Sequence, residues 1–432
     1  MDDVRAKLDA LLKSRNLMTG RQYEEQHREE SEQRQSGAFD LPQVVPGEDV
    51  GEDPAFYLVR TEYPLDHLHG QLPLGSALTA SGEHIAFSAQ DEELIDFDPA
   101  RTAFVDTETI GLAGGAGTVA FLVGVGYFTE HAFRLDQCFM RDYDEEEPML
   151  AFLAERFEGM ETVVGYNSKS FDLPLLRTRF IQNRIPFRAE ACAHYDLVHA
   201  ARRFYKRRLA DCSLGNIERE VLGIRREGDV PSYLIPQLWF DYLRTRDARP
   251  LKGVFYHHQT DILSLVTLTA WLSECLQRGG TEGFEHAEDK LSLVRIHFRQ
   301  KNYEAVADLG KRFLEADGAD QDTEPERSLR LECLEMLGFA YKRLSRFEDM
   351  RDSWAWLLAE SPAHLSARLE LSKHYEHRER DYGRALALCD EALENPNRFG
   401  AAVASGELRA RRDRIANKMN RGMKGHAADL LE

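Results

Sequence analysis

Residues 102–128 read TAFVDTETIGLAGGAGTVAFLVGVGYF, and the fold class follows from how this stretch is divided. Two apolar runs rich in β-branched and aromatic residues, TAFVDTE and VAFLVGVGYF, predict strands. FRLDQCFM, at 133–140, predicts a third after a tight connection. Asp106 and Glu108 stand two apart on the first strand, so both side chains project from the same face. The run AFV buries that strand, and two neighbouring carboxylates beside a core are costly unless a cation compensates them.

Further along the chain, EPMLAFLAERFEG predicts a helix, TVVGYN a buried strand, and FDLPLLRTRFIQNR the helix after it. Strands that alternate with helices in this way imply an α/β domain, a mixed sheet flanked by helices. Asn167 and Asp172 fall where the buried strand gives way to its helix. Asn167, Phe171 and Asp172 together offer a polar group to orient, a ring to wedge or pack, and a carboxylate, although Asp172 also suits the first turn of a helix. Residues 190–275 read as mainly helical, ending in QTDILSLVTLTAWLSECL. In YHHQTDILSL, His257 and Asp261 are four apart and share a helical face if the helix has already begun there.

After Gly279 and Gly280 the strand signal stops and the chain is helix-rich. Leu337, Gly338, Tyr341, Trp354 and Pro362 fall at offsets of the tetratricopeptide helix-turn-helix signature, and Leu371, Tyr375 and Pro396 repeat part of it. Ser372 stands in place of the second glycine, and Arg384, followed by Ala385, in place of the usual alanine. NYEAVADLGKRFLEA resembles an earlier partial copy. The expected organisation is an N-terminal helix and linker at 1–35, an irregular capping segment at 36–100, and an α/β domain at 101–278. An all-α tetratricopeptide-like helical domain at 281–420 and a flexible tail at 421–432 complete it.

The 432 residues are 43% apolar and 30% charged, enough for two cores. No apolar run approaches the roughly 20 residues of a membrane span, and MDDVRAKLDALLKSR lacks the apolar core of a secretory signal, so a cytoplasmic location and no membrane partner are expected. The six cysteines are scattered without a CxxC pair, which predicts reduced thiols rather than a zinc ribbon or disulfide framework. A net charge of -19 is awkward for binding a polyanion and requires local charge to differ from global charge.

The acids at 106, 108, 172 and 261 form an ordered set. Hydrolysis of a phosphodiester needs a nucleophile near neutral pH and charge compensation on the attacking and leaving oxygens, which two divalent cations about 4 Å apart supply. Four carboxylates can hold two such ions, and hard oxygen ligands favour Mg²⁺ or Mn²⁺ over zinc. His257 would then act as general base. In ARRFYKRRLADCSL, Arg202, Arg203, Lys206, Arg207 and Arg208 cluster with Phe204 and Tyr205. Such a segment can track a nucleic-acid backbone and stack a base, or simply be a solvated helix face with its rings turned inward. Lys169 and Arg177 are further candidates near the second acidic motif.

The series DTETIGL, YNSKSFD, HHQTD resembles the DEDD group of ribonuclease-H-like 3′-to-5′ exonucleases, the DnaQ-like superfamily. Within it, residues 106–126 are close to the DTETTGLxGGxGTxxFLxGxG pattern of a YprB-type branch. The likeness covers about residues 55–275, and some members carry tetratricopeptide extensions. It implies that Asp106 and Glu108, Asp172, and Asp261 are the three acidic motifs, with two divalent cations as cofactors and His257 as the branch's histidine. Ile110 and Ser168 depart from the usual Thr and Gly. Tyrosine-type members place Tyr four residues before the last Asp and histidine-type members place His five before it. Here His257 is at minus four and Tyr256 at minus five, so His257 is assigned the base role with Tyr256 as its substitute. The expected activity is 3′-to-5′ exonucleolytic cleavage of single-stranded DNA or RNA. A structure-specific endonuclease, or a non-catalytic adaptor recruiting a protein through its repeats, are the competing expectations.

Overall fold

The apolar run before the first acidic pair becomes an interior strand of a seven-stranded sheet. The computed structural model of the chain describes residues 39–111, 117–279, 282–317, 323–394 and 406–429. The expected helix and linker at 1–35 and the glycine-rich part of the DTETIGLAGGAGT loop at 112–116 lie outside the described residues, as does Pro396.

The strands are β1 (Glu48–Val50), β2 (Phe56–Pro64), β3 (Leu68–His69), β4 (Leu72–Pro73), β5 (Thr102–Thr109), β6 (Ala120–Phe128), β7 (Ala132–Phe139), β8 (Thr162–Gly165) and β9 (Ala193–Asp196). β3 and β4 make a small separate ladder, and the main sheet has the order β1-β2-β7-β6-β5-β8-β9. β5 pairs antiparallel with β6, placing Asp106 opposite Gly124, and parallel with β8 on its other side. The helices used below are α1 (Gly82–Ala89), α2 (Glu146–Arg156), α3 (Asp172–Gln182), α4 (Leu197–Tyr205), α5 (Ile235–Thr245) and α6 (Leu251–Gln277). They continue with α7 (Ala287–Arg299), α8 (Tyr303–Asp317), α9 (Glu324–Arg343), α10 (Phe347–Glu360), α11 (Leu365–His374), α12 (Tyr382–Glu394) and α13 (Gly406–Asp429).

Alternation along β5 sorts its side chains between two cores. Ala103 and Val105 pack with α2 and α3, including Leu150, Leu153, Leu176 and Phe180. Phe104 faces the other layer with Ile262 and Val266 of α6, so Asp106 and Glu108 project toward α6 while Thr107 points to the α3 side. Helix α6 approaches the sheet closely because β6 is glycine at both contact points. A Cβ on Gly124 would lie 2.2 Å from Ile262 Cδ1 and 2.4 Å from His258 Cε1, and one on Gly126 would meet Phe133 at 2.4 Å.

The segment 36–100, expected as an irregular cap, supplies two strands to the main sheet: AFYLVR lies in β2, which pairs with β7 from Tyr57 opposite Phe139 to Pro64 opposite Ala132. HIAFSA is helical, in α1, where Ile85 and Ala86 bury against the α6 layer. The strand β9, AHYD, is hidden in the sequence because it is short and half of it is polar, His194 and Asp196. All six cysteines are free thiols. Among the described residues no helix is long and apolar enough to cross a membrane.

Beyond α6 every described element is a helix, and the main core runs without interruption from Val266 and Leu272 into Leu291, Leu334, Trp354 and Leu371. Gly338 lets α10 close on α9, since a Cβ there would sit 2.4 Å from the Trp354 ring. At the matching place one hairpin later, Ser372 donates to the Ala385 carbonyl at 2.9 Å. Helix α13 extends to Asp429, into the stretch where a tail was expected.

Candidate metal centre and active site

Three elements deliver the acids to one place: β5 carries Asp106 and Glu108, the first turn of α3 carries Asp172, and α6 carries Asp261. Because α6 begins at Leu251, six residues before His257, His257 and Asp261 lie one turn apart on a single face. His257 Nε2 is 3.4 Å from Asp261 Oδ2 and 3.9 Å from Glu108 Oε1. Donor atoms of Glu108, His257 and Asp261 all lie within 4.8 Å of one another, a spacing that suits one metal ion. Tyr256, the alternative to His257, is 36% exposed, and the structure brings the histidine to the acids.

The carboxylates are partly or fully withdrawn from water and repel one another. Burial, then the charges of Asp261, Asp172 and Glu108, push the Asp106 carboxyl well above the usual range. Burial, then Asp261 and Asp172, do the same to Glu108. Burial raises Asp172 to about 6, although Thr107 Oγ1 donates to its Oδ1 at 2.5 Å and opposes the shift. A set of acids held at this cost is the environment a divalent cation relieves.

Arg226 supplies the positive charge present in the protein itself. Its guanidinium donates to Asp261 Oδ1, to Glu218 Oε2 at 2.7 Å and to Asp229 Oδ2 at 3.2 Å. Burial works against its charge, and Glu218 and Asp261 more than offset that, so its pKa is raised. Glu218 is buried and also accepts from Ser264 Oγ at 2.5 Å, and Ser264 Oγ meets His69 Nε2 at 2.8 Å.

Asp229 orients the histidine. His257 Nδ1 lies 2.9 and 3.0 Å from the two Asp229 oxygens and 3.2 Å from Arg226 Nη1; the tautomer that carries its proton on Nδ1 donates to the Asp229 carboxylate and leaves Nε2 as the acceptor facing Glu108 and Asp261. Ser232 Oγ is 3.2 Å from the same Nε2. The neighbouring His258 serves packing: Gln137 Nε2 donates to its Nδ1 at 2.9 Å, and its Nε2–H donates to the Asp106 carbonyl at 3.1 Å. Burial lowers its pKa to about 4, so it stays neutral and pins α6 to the strand bearing the acids.

The loop between β8 and α3 is fastened from behind by Asp196, which accepts from the backbone N–H groups of Asn167 at 2.7 Å and Lys169 at 3.0 Å. Asn167 adopts a left-handed backbone, φ 61°, a conformation asparagine tolerates better than most residues. Ser168 is buried against His194 Nε2 at 2.9 Å. Phe171, beside Asp172, is 52% exposed. Lys169 reaches Asp91 at 3.6 Å, and Arg177 pairs with Glu190 at 2.9 Å.

The basic segment of α4 divides. Arg202, Lys206 and Arg207 are exposed, and Arg203 donates to the Ser88 carbonyl at 2.8 Å. Phe204 and Tyr205 are buried, with Phe204 stacked on Phe284 at 5.3 Å, so neither ring can stack a base. The aromatic half of the track expected there is core.

Sequence reading missed Arg226, Asp229, Glu218 and Asp196. Arg226 and Asp229 sit in RREGD, an unremarkable polar stretch, and reach the site only because the chain returns before α5. Asp196 carries a local signal as the side-chain cap of α4, accepting from Val198 N–H at 3.2 Å.

A family model described as RNase_H superfamily matches residues 103–273, the span that contains all four acids and His257. Over 355 residues the chain is 32% identical to the uncharacterized protein YprB of Bacillus subtilis (strain 168), covering 80% of this chain and 82% of that protein. Together with a mixed sheet that pairs β5 antiparallel to β6 and parallel to β8, these matches establish that the chain belongs to the RNase H superfamily, in the family of YprB.

Proposed function

We propose that the protein is a metal-dependent 3′-to-5′ exonuclease acting on single-stranded DNA or RNA. Its superfamily supports nuclease-type activity, and the observation that carries the finer reading is the convergence of four acids on a histidine whose Nδ1 is held by Asp229. Asp106, Glu108, Asp172 and Asp261 would hold two divalent cations, Mg²⁺ or Mn²⁺, the all-oxygen chemistry of the set favouring hard ions. When bound, such ions lower the pKa of water and compensate charge on both oxygens of an in-line displacement.

The chain's own residues account for the rest. His257 Nε2 takes the proton of the attacking water, and Asp229 accepts from Nδ1–H and stabilises the imidazolium that forms. Arg226 neutralises part of the acidic set before the cations arrive and holds Asp261 in place. The exposed Phe171 ring, next to Asp172, stacks on or wedges beside the terminal base, and Asn167 and Lys169 contact the strand from the same loop. We read α9–α12 as tetratricopeptide-like, on the helix closure at Gly338 and Trp354 and its counterpart at Ser372 and Ala385; such repeats can also present a surface to a protein partner.

End-labelled DNA and RNA oligonucleotides incubated with Mn²⁺ test this. The expected result is a ladder shortening from the 3′ end. Cleavage of a circular single strand would move the assignment to an endonuclease, and intact substrates throughout would move it to a binding protein.

A further inference from the structure

Between α4 and α7 lies a cleft of about 530 Å³ lined by Arg202, Arg203, Lys206, Arg207, Arg295 and Arg299, with His199 at one end. Six Lys and Arg side chains converge here in a protein whose net charge is -19. Among the described residues the one carboxylate paired with them is shared by two: Glu332 accepts from Arg207 and from Arg295, whose Nε lies 2.9 Å away. Among the described residues Arg202, Lys206 and Arg299 have no ion-pair partner, and all three are exposed. A protein does not gather unpaired cations against their mutual repulsion for stability, so the concentration points to an anionic ligand.

One end of the cleft adjoins the loop that runs into Asp172. His199 Nε2 is 4.0 Å from Asp196 Oδ2, and that same carboxylate holds the backbone of Asn167 and Lys169, the loop that runs into Asp172. From His199 the basic residues continue with Arg202 and Arg203 inside α4 and Lys206 and Arg207 just past its last residue, Tyr205. The opposite wall, Arg295 and Arg299, belongs to the helical region beyond α6. This region is fixed against α4 by Phe284 on Phe204 and by Arg208 to Asp289 at 2.9 Å, so the two walls keep their spacing.

We propose that this cleft binds the sugar-phosphate backbone of a single-stranded nucleic acid, the part of the substrate that trails away from the cleaved end, making the helical region one wall of the substrate path. The volume matches a site for a few nucleotide units rather than a duplex. The His199 imidazole is the one ring among the lining residues, against six Lys and Arg side chains, so recognition is chiefly of phosphates and largely indifferent to sequence. The identity of the ligand rests on the nuclease reading; the presence of an anion site does not.

The test uses the full chain in EDTA, so that binding is read without turnover, with labelled oligothymidylate and oligouridylate as probes. Relative to the unaltered protein, the double variant Arg202→Glu/Arg299→Glu is expected to raise Kd about ten-fold or more and to flatten the dependence of log Kd on log salt by about 1.4, the loss of two phosphate contacts to a single strand. Both residues are exposed and without ion pairs, so the melting temperature should not change. Hydrolysis of bis(p-nitrophenyl) phosphate with Mn²⁺, an ester too small to reach the cleft, should be equal in the two proteins. A Kd unchanged within experimental error, or displacement of the oligonucleotide by polyglutamate at equal charge concentration, overturns the proposal, the latter pointing to an acidic polypeptide. Failure of the unaltered protein to hydrolyse the small ester would instead count against the nuclease reading and leave the binding result to decide the cleft.

Discussion

His257 and Asp229 form the pair on which proton transfer depends. Asp229→Asn can no longer accept Nδ1–H in the same way and can hold the wrong tautomer, so kcat should fall by about two orders of magnitude or more with little change in KM. Tyr256→Phe should stay close to the parent rate; steady-state kinetics on an oligonucleotide separate the two. At the acids the sign of the pH effect is reversed from the usual carboxylate. The Asp172 pKa is raised to about 6, so its protonated form stabilises the metal-free fold at low pH, and that contribution is lost as pH rises through about 6. In EDTA, Asp172→Asn should therefore gain melting temperature relative to the parent as pH is raised across this range. Mn²⁺ should restore the parent and do little for the variant, because cation binding needs the ionised acid.

Helix α6 and strand β6 set how far the acids on α6 stand from those on β5. Gly124→Ala would place a methyl group on His258 and Ile262, lifting α6. The expected cost is about 1–3 kcal/mol in denaturant unfolding, with a loss of activity larger than that destabilisation explains, because Asp261 and His257 ride on the same helix. This element was well marked in the sequence: VAFLVGVGYF is a continuous apolar run, and the carboxylate pair on β5 is readable from its spacing of two. The start of α6 was less so, since LKGVFYHH has weak amphipathic contrast and its helicity comes from packing on both sides. β2 and β9 were blurred for related reasons: β2 lies in a stretch punctuated by Pro and Gly, and β9 is only four residues. The helper residues Arg226, Asp229 and Glu218 were not legible because each acts across 25 or more residues of chain or through a buried network, and no local period records that. Phe204 and Tyr205 show the converse, a motif whose aromatic half is explained by core packing.

Across the whole molecule, acidity in aggregate coexists with a basic cleft, and the helical region contributes to both stability and surface. Its last helix is tied down by Glu376, whose side chain is fully shielded and takes contacts from Arg411, Arg414 and Lys418 at 2.8–3.0 Å. Hydrogen bonding from Arg414 first, then Lys418, holds the Glu376 pKa down at about 2, so this contribution is full above the ordinary carboxylate value and is lost progressively as pH falls from there through about 2. Glu376→Ala leaves buried Arg411 without its partner and should release α13, seen as faster amide exchange within Gly406–Asp429, while small-ester hydrolysis is retained. The central claim is that the acids drawn together from β5, α3 and α6 form a working metal centre. The direct measurement is degradation of a labelled single strand with Mn²⁺ by the parent protein and by Asp106→Ala side by side. Shortening by the parent, abolished by EDTA and by the substitution, is the predicted result; equal behaviour of the two proteins would contradict it.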